Sequence, residues 1–144
     1  MEESLNIKFQ HLILRFHQVG GEMPPLERFD ITPAQVVYLD YLAKHPDCRL
    51  SQLTEALNYK AASVSGMVSN LEAKGLVRKT WEPDDARALS LALTEEGQAA
   101  ILEIEIFRGK RVETILERLS NEEKQTLLSL LEKALTVAEE QQND

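Results

Sequence analysis

The sequence predicts a mainly α fold with one small β-hairpin, arranged as a winged helix-turn-helix. Three observations predict it: two short helical patterns three residues apart, a pair of strand patterns directly after them, and longer helical patterns on both sides. Helix, turn, helix and hairpin in this order can place one helix in the DNA major groove and a loop beside it. We therefore expect six helices, with two strands between the fourth and the fifth.

The first helix is predicted over residues 5–19, where apolar residues recur at helical spacing, and Gly20-Gly21 ends it. It is apolar on more than one side, so we expect it to pack against more than its own domain. The second helix opens with Thr32 as N-cap and Gln35 completing a capping box. It is predicted to run to about Lys44 and to be apolar nearly all round, as a buried central helix is.

The helix-turn-helix follows. Ser51 is the predicted cap of the third helix, whose Leu53, Ala56 and Leu57 are expected to face inward. A turn over residues 58–60 leads to the fourth helix. Its apolar stripe repeats at i, i+3, i+4 and i+7 and comprises Val64, Met67, Val68 and Leu71.

The wing and the C-terminal helices complete the pattern. After Gly75, which suits a helix C-terminus, residues 76–82 and 87–93 predict two strands around a turn at 83–86. A fifth helix begins near Thr94. A second capping box, Ser120 with Glu123, starts the sixth. We predict a dimerisation helix and loop at 1–31, the winged core at 32–93 and dimerisation helices at 94–144.

Charge is distributed unevenly. The formal net charge is −8, whereas DNA-binding proteins usually carry a basic surface. Residues 44–94 hold seven basic and six acidic side chains, a net of +1, so the rest of the chain carries −9. The acidity therefore lies mostly outside the core. No apolar run is long enough for a membrane span, and the acidic N-terminus predicts a cytoplasmic protein without a signal peptide.

Cysteine and histidine give little sign of a metal or redox site. Cys48 is the single cysteine, which excludes an internal disulfide framework. Arg49 beside it favours a thiolate, but a small buried residue is the better interpretation. The three histidines fit no metal-ligand spacing, and we expect neither metal nor cofactor. Trp81 is interpreted as a packing residue, with exposure near the wing as the alternative.

The fourth helix carries small and polar side chains opposite its apolar stripe. Such side chains allow close approach to base edges, and a solvated helix face is the alternative interpretation. They are Ala62, Ser63, Ser65, Gly66, Ser69 and Asn70. This face is the predicted DNA-reading surface.

The order of elements and three motifs resemble MarR-type transcriptional regulators, the multiple-antibiotic-resistance regulator family. The motifs are LSQLTEAL, SVSGMVSNLEAKGLVRK and DDARALSLALTEEG, and the resemblance covers nearly the whole chain. It implies a homodimer that binds double-stranded DNA at a pseudo-palindromic operator. It also implies regulation, expected here to be repression, and release by a small aromatic or phenolic effector.

The resemblance also implies roles for particular residues. Arg87 would enter the minor groove from the wing, with Asp85 holding it through a charge-assisted hydrogen bond. Lys60 stands at the cap of the fourth helix, where the family usually has Ser or Thr, and its exposed face lacks the usual Arg or Lys. Phosphate contacts are therefore assigned to four basic residues, which are Lys60, Lys74, Arg78 and Lys79.

The resemblance implies an effector site between the dimerisation helices and the winged core. An Arg with nearby aromatic rings suits an aromatic carboxylate, although buried tyrosines and paired arginines are equally ordinary structural features. The candidates are His11, Arg15, Tyr38, Tyr41, Arg108 and Arg111.

Two other function classes fit the sequence less well. An enzyme is disfavoured because the sequence has no Gly-rich phosphate loop, nucleophile motif or acid/base constellation. A winged-helix dimer that binds a ligand or a protein, with little or no DNA binding, is the stronger alternative, since the core is only weakly basic.

Overall fold

The computed structural model describes residues 4–19 and 26–142 of the chain. The predicted six helices and hairpin form within this part, and a short third strand joins the hairpin. The elements are α1 (Leu5–Gln18), a 3-10 turn (Glu27–Phe29), α2 (Pro33–Lys44), β1 (Cys48–Arg49), α3 (Leu50–Leu57), α4 (Ala61–Ala73), β2 (Val77–Glu82), β3 (Asp85–Leu93), α5 (Glu95–Leu116) and α6 (Asn121–Gln142). No helix in the described ranges is long and apolar enough to cross a membrane. The predicted end of the first helix at Gly20-Gly21 lies outside the described residues.

The chain divides into two compact units. One comprises Met1–Gly21 with Gly109–Asp144, and the other comprises Glu22–Arg108. The division falls within α5, at Gly109. The boundaries predicted at residues 31/32 and 93/94 concern dimerisation and DNA binding, and they stay a prediction.

The core of the second unit is built from fully buried aliphatic side chains. They come from α2, α3, α4, β3 and the first half of α5, and burying each contributes about 1.5–3 kcal/mol. Those without solvent exposure include Leu39, Leu53, Val64, Val68, Leu71, Leu91 and Ile104. Three of these belong to α4, so the predicted apolar stripe of that helix is confirmed.

The start of α2 matches its prediction. Thr32 Oγ1 accepts from the Gln35 backbone N–H at 3.3 Å, and Gln35 Oε1 accepts from the Thr32 N–H at 3.0 Å. These are the two bonds of a capping box. The expectation that α2 is buried nearly all round is wrong, because Val37 is 44% exposed while Leu39 is fully buried. The helix packs on the core with one side.

The predicted start of α3 is wrong. Arg49, not Ser51, is the N-cap, and Gln52 Oε1 accepts from the Arg49 N–H at 2.8 Å. The reason is β1, which the sequence did not reveal: Cys48 and Arg49 pair with Leu91 and Ser90 of β3. This pairing extends the backbone up to Arg49, so the helix can begin only after it. Ala56, predicted to face inward, is exposed.

The end of α4 is a Schellman motif. Gly75 has φ +76°, a left-handed conformation that costs glycine little. Its N–H bonds the Glu72 carbonyl at 2.9 Å, and the Leu76 N–H bonds the Leu71 carbonyl at 3.0 Å. The predicted role of Gly75 is confirmed, and the chain turns directly from α4 into β2.

The turn between the two strands of the wing is shorter than predicted. The second strand begins at Asp85 rather than Arg87, so only Pro83 and Asp84 connect β2 to β3. The register shifts between Trp81 and Glu82, where a bulge allows pairing to continue to Glu82 and Asp85. The sheet order is β1-β3-β2, all antiparallel.

The C-terminal helices begin as predicted. Thr94 Oγ1 accepts from the Gly97 N–H at 3.1 Å, and α5 follows. Ser120 and Glu123 form the reciprocal capping box of α6, with distances of 2.8 and 3.2 Å. Leu130 and Leu135 of α6 are about 60% exposed. The leucine stripe of α6 therefore lies on the surface of this chain.

Gly97→Ala should destabilise the protein by about 2–3 kcal/mol, because a Cβ there would lie 2.1 Å from the Leu76 carbonyl oxygen. Gly109→Ala is the matched control. Nothing lies within 4 Å of a Cβ at Gly109, so the helix should gain about 0.5–1 kcal/mol. Urea unfolding at one protein concentration measures both. Equal midpoints for the two variants would contradict the close approach at Gly97.

Candidate nucleic-acid interface

The polar face of α4 is exposed, as predicted. Val64, Val68 and Leu71 fix the opposite side of the helix in the core. Six residues of small or polar character then point away from it, and all are exposed, namely Ala62, Ser63, Ser65, Gly66, Ser69 and Asn70. No atom lies within 4 Å of a Cβ placed at Gly66. A flat polar helix face of this kind can approach a groove closely.

The start of α4 favours an anion. Lys60 is the N-cap and makes no side-chain cap bond, and it is exposed. The N–H groups in the first turn of α4 therefore receive no capping bond from the Lys60 side chain. Together with the helix dipole and the ammonium group, they create a positive potential at this end.

The wing carries Arg87 in an exposed position. Asp85 Oδ1 accepts a hydrogen bond from the Arg87 backbone N–H at 2.9 Å. The predicted bond between Asp85 and the guanidinium is therefore replaced by one to the main chain, because a carboxylate two residues before an N–H closes an Asx-type turn. Asp85 stabilises the wing, and the guanidinium can reach outward.

A groove of about 610 Å³ runs between the starts of α3 and α4 and the wing. Two arginines line it, Arg49 and Arg87, together with Ser51, Ala61 and Trp81. Trp81 is 61% exposed, so exposure near the wing, the alternative to a packing residue, is what the structure has. Arg49 and Trp81 were not predicted for this surface, since only the β1 pairing brings Arg49 to it.

Two of the lysines predicted to contact phosphate form bonds within the chain. Lys79 Nζ donates to Ser69 Oγ at 2.7 Å and lies 3.7 Å from a Glu72 carboxylate oxygen. Lys74 Nζ bonds the Asp30 carbonyl oxygen and Gln35 Oε1, the latter at 3.1 Å. Both lysines are about four-fifths buried. They link α4 to its neighbours, so their charge is partly used internally.

Arg78 lies on the other face of β2 from Lys79. Side chains alternate along a strand, and Lys79 reaches α4. Arg78 instead lines a second groove of about 480 Å³, with Leu42 and residues of α5 that include Gln98 and Glu105. The structure therefore separates Arg78 from the other predicted DNA-binding residues.

A buried glutamine connects α2 to α4. Gln35 is 4% exposed, and its Nε2 donates to Asn70 Oδ1 at 2.9 Å. Among the described residues, no buried side-chain nitrogen or oxygen is left without a hydrogen-bond partner. The sequence showed the capping role of Gln35 and gave no sign of this second role, which depends on the packing of α2 against α4.

The effector candidates fall into both units, and two arginines are already bonded. In the first unit, which also holds His11 and Arg15, Arg111 donates to the main-chain oxygens of Phe16, His17 and Val19 at 2.9–3.1 Å. It thereby caps the C-terminus of α1. In the second unit, Arg108 forms two 3.0 Å bonds with the Asp40 carboxylate, which raise the pKa of Arg108.

The tyrosine candidates are both in α2. Tyr38 is 4% exposed, and burial, with a contribution from the nearby Tyr59, raises its pKa. The Tyr41 ring stacks on His45 with centroids 4.0 Å apart. The described residues contain no group of three His, Cys, Asp or Glu side chains that could hold a metal ion.

Cys48 is buried at 6% exposure. Burial raises the pKa of the Cys48 thiol, so the suggestion that Arg49 favours a thiolate is wrong, and a buried structural residue is confirmed. Its Sγ lies 3.7 Å from the Arg49 carbonyl oxygen, within reach of a weak S–H bond.

Comparison with known proteins identifies the family. The model of the MarR family matches residues 29–88. The HTH-type transcriptional repressor MdtR of Bacillus subtilis is 32% identical over 109 residues, which cover 75% of this chain and 70% of MdtR. The chain belongs to the MarR family. The resemblance seen in the sequence is therefore confirmed.

Solved structures share the fold over nearly the whole chain. The YusO protein from Bacillus subtilis is 27% identical with a TM-score of 0.72, and the match covers 93% of this chain and 99% of YusO. A mutant of S. aureus MepR bound to an oligodeoxyribonucleotide is 25% identical with a TM-score of 0.67, covering 95% and 99%. The MarR fold is confirmed, and the chain is a DNA-binding transcriptional regulator of this family rather than an enzyme.

Cys48 should react slowly with Ellman's reagent in the native protein and rapidly after unfolding in urea, because the thiol is buried and its pKa is raised. The raised pKa also means that the free energy of unfolding falls as pH rises above the ordinary thiol range, where only the unfolded chain loses the proton. Cys48→Ser, which lacks the thiol, is the blank for the labelling measurement. Equal labelling rates in both states would contradict the burial.

Proposed function

We propose that this regulator is a homodimeric repressor that binds a pseudo-palindromic operator, with α4 in the major groove and Arg87 of the wing in the adjacent minor groove. One observation carries the proposal: the apolar side of α4 is fully buried, and its small polar side is exposed beside an exposed wing arginine. A guanidinium suits the negative potential of a narrow minor groove. The name of MdtR supports repression, and the DNA complex of a MepR mutant supports duplex binding.

The electrostatics predict a moderate salt dependence. Each phosphate contact contributes about −0.9 to the slope of log K against log salt. Lys74 and Lys79 are bonded internally, so Lys60, Arg49 and Arg87 are the proposed phosphate and groove contacts. The helix dipole at the start of α4 adds to them. The slope should therefore be shallower than for a strongly basic reading head.

Exposed apolar side chains of the first unit support a homodimer. Those on α1 and α6 are 36–82% exposed, and a second copy of the chain can cover them. They include Leu5, Phe9, Leu12, Phe16, Leu128, Leu130, Leu131 and Leu135. A two-fold dimer would place two α4 helices at half-sites about one DNA turn apart.

Release by a small aromatic effector is part of the proposal. An aromatic carboxylate would have to compete with Asp40 for Arg108, or with the α1 carbonyls for Arg111. Benzoate in a thermal-shift titration is a direct probe. A rise in melting temperature that Arg108→Gln or Arg111→Gln abolishes would support one of these sites, and no shift at millimolar benzoate would contradict both.

Selection of genomic fragments by the purified protein at low salt tests the main proposal. We expect a recovered palindrome and an affinity, measured by anisotropy, that falls as the salt concentration rises. The sedimentation mass should be near twice the chain mass of 16.3 kDa. No enrichment over random duplex would overturn DNA binding. A monomer mass at micromolar concentration would overturn the homodimer.

A ligand- or protein-binding module with little DNA binding is the second candidate function. It is favoured by the internal bonds of Lys74 and Lys79, which reduce the free positive charge around α4. Stabilisation by small molecules, without stabilisation by duplex, would support this candidate.

Arg87→Ala should weaken operator binding by about 1–3 kcal/mol and reduce the salt slope by about one, since one groove contact is lost. Arg28→Ala is the control, because Arg28 is exposed and pairs with Glu103 at 2.8 Å, outside the α4 and wing surface. Anisotropy titration at several salt concentrations measures both variants. An Arg87 variant that binds like the control would contradict the role of the wing.

Ser65→Glu should reduce operator affinity more than Arg87→Ala does, because it places a negative charge on the exposed face of α4 towards phosphates and base edges. Ser65→Gln has a similar size without the charge and serves as the matched control. The same titration measures both. Equal losses for Glu and Gln would show that bulk, rather than charge, is what this face excludes.

A further inference from the structure

The orientation of the buried Gln35 amide is fixed by two groups that can only donate. Its Oε1 accepts from the Thr32 backbone N–H at 3.0 Å and lies 3.1 Å from Lys74 Nζ. A backbone N–H and an ammonium group have no acceptor. The oxygen of Gln35 must therefore face them, and the usual ambiguity between amide oxygen and nitrogen is removed.

The orientation of Gln35 determines that of Asn70. Gln35 Nε2 lies 2.9 Å from an amide atom of Asn70, and an amide nitrogen can only donate. The Asn70 atom must be the oxygen. Since Gln35 is 4% exposed, this oxygen is on the core side of Asn70. Asn70 itself is exposed, so its NH₂ group is the end left for a partner outside the chain.

We infer that Asn70 acts towards DNA as a hydrogen-bond donor, through Nδ2, and that Gln35 is the positioning residue that selects this state. The inference rests on the proposed function, in which α4 lies in the major groove. The bidentate contact of Asn to adenine requires its oxygen and nitrogen together. Asn70 is instead suited to an acceptor of the duplex, either guanine O6 or N7, thymine O4, or a phosphate oxygen.

Gln35→Glu should reverse the orientation of the Asn70 amide, because it replaces the NH₂ group of Gln35 with an oxygen. A carboxylate accepts from the Thr32 N–H and from Lys74, and Glu at the third helical position keeps the capping box. It cannot donate to Asn70. The Asn70 amide must then turn its nitrogen inward to bond the carboxylate, which leaves its oxygen outward as an acceptor. Lys74, which also lies 3.6 Å from an Asp30 carboxylate oxygen, offsets part of the new charge, and a thermal melt of the variant checks that the fold is retained.

Side-chain amide hydrogen exchange by NMR, on the full chain without DNA, tests the geometry. In the natural protein the Gln35 amide protons should be protected and those of Asn70 should exchange faster. In Gln35→Glu the Asn70 protons should become protected. Rapid exchange of the Gln35 amide in the natural protein would overturn the inference, whatever the outcome of the DNA measurements.

Operator selection from a randomised duplex library then tests the effect on DNA. For a base-edge contact, Gln35→Glu should change the preferred base at one position in each half-site by about tenfold. For a phosphate contact, it should weaken all sequences alike. A double-mutant cycle with Asn70→Ala separates either result from a general charge effect, because the Gln35→Glu effect should largely disappear when Asn70 is absent.

The outcomes of the selection are distinct. If the natural protein binds no duplex, the proposed function and this inference both fail. If it binds, and Gln35→Glu leaves both affinity and base preference unchanged, or has the same effect with Asn70→Ala as without it, only the inference fails.

Discussion

The burial of one side of α4 is the constraint on which the exposed polar face of that helix depends. Val64, Val68 and Leu71 have no solvent exposure, so the helix cannot rotate about its axis without exposing them. At about 1.5–3 kcal/mol for each side chain, this packing exceeds any single polar contact on the outer face. The polar face is exposed because the apolar face is buried, and its orientation follows from the core.

Polar side chains also hold α4 against the neighbouring elements. Lys79 joins Ser69 to the base of the wing, and Lys74 and Gln35 join the end of α4 to the start of α2. These groups are partly or fully buried, where hydrogen bonds are costly to leave unmade. Two of the lysines nearest α4 therefore form bonds within the chain.

The helix α5 serves both units by short-range polar contacts. Arg108 bonds Asp40 of α2 in the second unit, and Arg111 bonds the end of α1 in the first. These arginines were candidates for binding an effector. Their partners within the described residues are internal, and both arginines serve to hold helices together.

The sequence by itself determined what local rules control: the helical stripes, the capping box at Thr32, the glycine turn at Gly75, and the family. Tertiary structure alone decided the short strand that moves the start of α3 to Arg49, the separation of Arg78 from α4, and the side of Asn70 that faces outward. The physical reason is the separation along the chain between the residues that interact. Caps and periodicity involve residues within about one or two helical turns, whereas strand pairing and amide orientation depend on partners tens of residues away.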